Sequence, residues 1–182
     1  MNNQNPYLKW ILLSLLAAIW GSSFILIKKG LNSYGYLEAA TLRMMSAGAI
    51  FIIFAIKEIK TIPRDRYPYV FMAAIFGMFL PAYLFCLAQQ HVQSSVAGLL
   101  NALTPAFAFI FSIFIFKSKY KRVQIMGLIL GLMSALLLAF ERSNSVITFN
   151  IYALFIVVAT ASYGYNINLV KNKLQEVPSL AL

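Results

Sequence analysis

The sequence predicts an all-α polytopic membrane protein with six transmembrane helices, and three observations carry that expectation. First, the 182 residues are 61% hydrophobic and only 11% charged, with a mean hydropathy of +0.78. A soluble domain carries about 25% charged residues, so this composition cannot furnish a solvated surface. Second, apolar stretches recur between short polar breaks, each about 20 residues long, the length that crosses a bilayer as a helix. Third, these runs are too long and too uniformly apolar for barrel strands, which alternate over about 10 residues. Helices remain as the structure that satisfies its own backbone in lipid.

The first span is expected at Leu8–Ile27. Its apolar run is too long for a signal-peptide core and no cleavage site follows, which makes it an uncleaved span. Span two, Leu37–Ile56, opens on Glu38, whose carboxylate suits the positive end of the helix dipole. Spans three, Tyr69–Ala88, and four, Ser95–Phe116, are interrupted by Pro81 and Pro105. Proline lacks a backbone donor, so the carbonyls of Gly77 and Asn101 are expected to be freed at mid-depth. Span five, Val123–Phe140, carries Gly127, Gly131 and Ala135 at four-residue spacing, a stripe that suits close helix packing. Span six is expected at Phe149–Val170, and Pro178 to Leu182 resemble the opening of a seventh span cut short.

The net charge of +10 raises nucleic acid as a partner, but basic residues of membrane proteins collect in cytoplasmic loops, and none is expected here. Alternate connections hold eleven of the 15 Lys and Arg residues, among them Lys57, Lys60, Arg64, Arg66, Lys117, Lys119, Lys121 and Arg122. Three (Lys28, Lys29 and Arg142) fall on the opposite side, and Arg43 lies within a span. The bias predicts a multi-pass protein of the inner or plasma membrane with both termini cytoplasmic. The two basic runs are placed to meet anionic lipid headgroups.

One internal repeat emerges. With a shift of 143, Ala18, Gly21, Leu26, Lys28 and Leu31 recur as Ala161, Gly164, Leu169, Lys171 and Leu174, and Trp20 recurs as an aromatic, Tyr163. Span one leaves the cytoplasm while span six returns to it, so the second copy is inverted. This divides the chain into a five-helix repeat, 8–140, and an incomplete inverted copy, 149–182. Inverted repeats are a frequent construction in secondary transporters.

Polar groups at membrane depth are the candidate substrate-binding residues. Arg43 lies about 9 Å into span two, where a charge costs at least about 2–3 kcal/mol unless it faces protein or water. It is either an anion-binding or gating residue, or a side chain that snorkels or pairs with Glu38. Asn101, beside Thr104 and one turn before Pro105, is either a cavity wall or a packing kink; Tyr83 follows Pro81 closely. Trp20, Ser22 and Ser23, with Tyr163, Tyr165 and Asn166 as counterparts, add hydrogen-bonding groups to apolar helices. The only histidine, His91, is expected in a solvated loop, and Phe107, Phe109, Phe111, Phe114 and Phe116 are bulk.

An enzyme needs a positioned acid–base pair or an activated nucleophile. All five acids lie at helix ends or in loops, and the single cysteine, Cys86, has neither a disulfide partner nor a base nearby. No catalytic residue, cofactor or metal site is expected.

Several short motifs together resemble the EamA family of the drug/metabolite transporter superfamily. Trp20-Gly21-Ser22-Ser23-Phe24 followed by Lys28-Lys29-Gly30-Leu31 is similar to its first-helix signature, Leu42-Arg43 to its second-helix motif and Leu103-Thr104-Pro105 to its fourth. Gln124-Ile125-Met126-Gly127 with Gly131 resembles the fifth helix, and Ala161 to Leu174 the start of the second copy; Ser118 stands where an acidic residue is often found. The resemblance implies ten helices in two inverted repeats and alternating-access movement of a small metabolite, often outward. Six helices then imply a half-transporter acting as a homodimer, a chain missing its C-terminal half, or an inactive fragment.

Overall fold

The structure is a computed structural model that describes residues 6–141 and 151–178, with the side chains of residues 6, 54 and 135–141 outside the description. The first two crossings are α1 (Pro6–Gly30) and α2 (Tyr36–Glu58), 25 and 23 residues long. At about 1.5 Å per residue both exceed the hydrocarbon thickness. Between them the backbone turns through Leu31 to Gly35, and the Gly35 N–H donates to Glu38 Oε2 at 3.1 Å. Glu38 therefore satisfies a donor that helix geometry leaves free. It makes no ion pair with Arg43.

The third crossing has two parts, α3 (Tyr67–Ala74) and α4 (Leu80–His91), joined by a π turn at Ile75–Phe79. The Leu80 N–H reaches back five residues to the Ile75 carbonyl, and this widened turn admits Pro81 without ending the crossing. Pro105 acts differently. The fourth crossing breaks into α5 (Ser94–Asn101) and α6 (Thr104–Phe114), with Pro105 in the first turn of α6, where no backbone donor is needed. α7 (Arg122–Glu141) and α8 (Tyr152–Lys173) complete the described chain. Five crossings among the described residues are long and apolar enough to span a membrane. With α7 they correspond to the six expected runs. The start of the expected sixth span, at Phe149, and residues 179–182 lie outside the described residues.

α8 occupies the centre, packed on α4 and α6 and also on α3, α5 and the π turn. Ile156, Ala159 and Thr160 are fully enclosed. The Tyr152 ring stacks on His91 at 3.7 Å, so the start of α8 lies beside the end of α4. At its other end Arg66 donates to the Lys173 carbonyl at 3.1 Å and pairs with Glu176. α1 meets α4 and α5, where Phe24 and Ile27 join the core clusters, while residues 7–22 are exposed. Lys28 ties the end of α1 to the end of α4; α1 and α8 therefore end at opposite ends of the bundle.

Candidate functional site

α2 faces α4 with Tyr36, Ala39 and Ala40, and Ala40 is buried with Ile27 and Cys86. Arg43 follows Ala39 by four residues and Ala40 by three, so it lies in line with this stripe, whereas Thr41 lies about 160° round the helix from it. The Thr41 and Tyr83 hydroxyls share a hydrogen bond of 2.9 Å. Arg43, further along the stripe, lies within electrostatic range of Cys86 on α4 and of Tyr163 on α8. Tyr163 is held in place by stacking on Phe85 at 6.1 Å, and Phe85 in turn packs on Phe24 of α1 at 5.6 Å. Arg43 is exposed, and among the described residues it has neither an ion pair nor a hydrogen bond.

The remaining candidates are spread along the bundle. Asn101 is half-buried at the break between α5 and α6, where its Oδ1 accepts the Thr104 hydroxyl at 3.5 Å. Asn166 lies against Gly77 in the π turn, so closely that a Cβ on Gly77 would overlap it, and its buried Oδ1 has no partner. Trp20 is 64% exposed on α1, and the Ser23 hydroxyl is spent on the Trp20 carbonyl at 2.7 Å. Gly127 and Gly131 are exposed with open space beside them; the Ala135 side chain lies outside the described residues. His91 is exposed and stacked on Tyr152.

Three polar residues matter more than their sequence context suggests. Asn168 donates to the carbonyls of Ala108, at 2.7 Å, and Gly164, at 3.0 Å, joining α8 to α6. Gln89 is enclosed, with both side-chain polar atoms unpartnered. The Lys28 ammonium bonds to main-chain carbonyls at the end of α4. Of the three, only Lys28 left a trace in the sequence, its recurrence as Lys171. No group of three or more His, Cys, Asp or Glu residues that could hold a metal ion occurs among the described residues.

The arrangement therefore offers, among the described residues, an exposed cation at membrane depth with no ion pair or hydrogen bond, on the face of α2 turned to α4 and within electrostatic range of Tyr163. Residues 8–140 match the family described as the EamA-like transporter family. Over 152 residues the chain is 27% identical to an uncharacterized transporter of Archaeoglobus fulgidus, covering 84% of this chain and 53% of that protein. It is 30% identical over 127 residues to the uncharacterized inner membrane transporter YedA of Escherichia coli K12, covering 68% and 40%. A probable amino-acid metabolite efflux pump of Salmonella typhimurium is 27% identical over 129 residues, again 68% and 40%. The chain thus spans about half of these relatives' length or less. No solved structure matches it.

Proposed function

This chain belongs to the EamA-like transporter family, and on that premise we propose that it forms one wall of the substrate pathway of a small-metabolite permease. In this reading the permease is a secondary transporter that works by alternating access, with the N-terminus of the chain in the cytoplasm. The observation that carries it is Arg43, about 10 Å along a membrane-crossing helix, exposed and with neither an ion pair nor a hydrogen bond among the described residues. A guanidinium turned to lipid is costly, and the cost disappears where that side lines water or receives an anionic group. A carboxylate suits it, because guanidinium and carboxylate pair through two parallel hydrogen bonds. Amino-acid metabolites, named for the Salmonella relative, carry that group. Tyr163 on α8 and Tyr83 on α4 supply hydroxyls, and Asn101 and Asn166 mark the two helix irregularities. The other wall of the route is the remainder of a protein of the relatives' length or, failing that, a second copy of the chain.

The test is efflux of preloaded radiolabelled amino acids from cells expressing the full gene product. Arg43→Ala should lower the rate about tenfold, the scale of one lost charged hydrogen bond, with membrane abundance unchanged. Wild-type efflux by Arg43→Ala would remove Arg43 from the pathway. Efflux no faster than from cells without the gene would remove amino acids as the substrate class.

A further inference from the structure

A single ammonium ties α1 to the end of α4. Lys28 Nζ donates to the carbonyls of Gln89 at 2.6 Å, Gln90 at 3.4 Å and Val92 at 3.3 Å. That uses all three donors of the group. Gln89 and Gln90 belong to the last turn of α4 and Val92 caps it, where carbonyls lack helical partners and the dipole is negative. One residue away, Ile27 closes over Ala40 and Cys86. Below this point residues 7–22 of α1 are exposed, so the end of α1 is its anchor. The internal repeat puts Lys171 in register with Lys28, and α8 ends beside Arg66, at the other end of the bundle from Lys28. Lys171 is exposed and makes no hydrogen bond or ion pair among the described residues.

We propose that Lys28 is a latch that closes one end of the pathway by capping α4. The purpose of the latch rests on the permease reading; its geometry does not. Gln89 supplies a reason for the closed state to give way. Its side-chain amide is enclosed and unpartnered beside the latched carbonyls, and opening admits water to it.

Cys86 is a built-in reporter. It is the only cysteine of the chain and is 1% exposed, beneath Ile27. The full gene product, with any cysteine beyond residue 182 replaced by serine, is treated in membrane vesicles with a membrane-impermeant maleimide. Lys28→Met should speed alkylation of Cys86 about tenfold, the scale of lost charge-assisted hydrogen bonds. Lys28→Arg, which keeps a cationic donor, should retain the wild-type rate. Lys171→Met, at the other end of the bundle, should leave the rate unchanged. A wild-type rate in Lys28→Met, or an equal rise in Lys28→Arg or Lys171→Met, would overturn the latch. If Lys28→Met does not insert, Lys28→Gln decides, with an intermediate rate expected and a wild-type rate contradicting. Amino-acid efflux is read separately, so its absence would remove the transport reading while leaving the latch standing.

Discussion

Gly21 in α1 and Gly164 in α8 hold the same place in the internal repeat, yet their surroundings differ completely. A Cβ on Gly21 would meet nothing within 4 Å, whereas one on Gly164 would lie 2.6 Å from the Ala108 nitrogen and 2.7 Å from Phe107 Cβ. The same contrast holds for the neighbours: Tyr163 is half-buried against Phe85 while Trp20 is exposed. α8 has α3 to α6 wrapped around it, and α1 touches α4 and α5 near its end. In lipid, helices associate through close packing and interhelical hydrogen bonds rather than hydrophobic burial, so small residues matter only where another backbone arrives. The motif thus specifies a packing surface, and which copy is filled depends on which partner helices are present.

The comparison is broken most severely at the paired glycines. Gly164→Ala should destabilise the protein in detergent by about 2–3 kcal/mol, since two backbones must separate. Gly21→Ala in this chain should stay within about 0.5 kcal/mol, and thermal melts of the two variants measure the difference. Equal losses would contradict the unequal packing. Next is Gly77, whose added methyl would meet the Asn166 side chain. Gly77→Ala should cost about 1–2 kcal/mol, and Asn166→Ala in the same chain should recover most of it, a coupling that a double-mutant cycle reads directly. The smallest effect concerns Asn168 and its repeat counterpart Ile25, which is 55% exposed. Asn168→Ala removes the bond to the Ala108 carbonyl and should cost about 1 kcal/mol. Ile25→Ala, with only lipid to lose, should change the melt by less than about 0.5 kcal/mol.

Much of the architecture was legible in the sequence because lipid imposes simple rules. Apolar runs of spanning length gave the crossings, and Glu38 lay where a helix start needs an acceptor. Pro105 lay where a crossing divides. Pro81 was legible as an irregularity but not as a π turn, because proline removes one donor without dictating how the backbone adjusts. The Tyr83 hydroxyl goes to Thr41 rather than to Arg43, and residues 41 and 43 lie about 160° apart around α2. Asn168 and Gln89 left no signal, since a single polar residue in an apolar run does not reveal its neighbours. Lys28 was counted among the charges that set orientation, and its position beside the end of α4 depends on a contact across 61 residues of sequence.

The central claim is that Arg43, exposed on the face of α2 turned to α4, meets a water-filled route rather than lipid. Arg43→Cys in a Cys86→Ser background, made in the full gene product and treated in vesicles with a charged methanethiosulfonate reagent, tests it. The account predicts modification within about tenfold of the rate at Asn32→Cys in the turn between α1 and α2, because both thiols meet water and reactivity needs a hydrated thiolate. A thiol at position 43 that reacts only after the membrane is dissolved would contradict it.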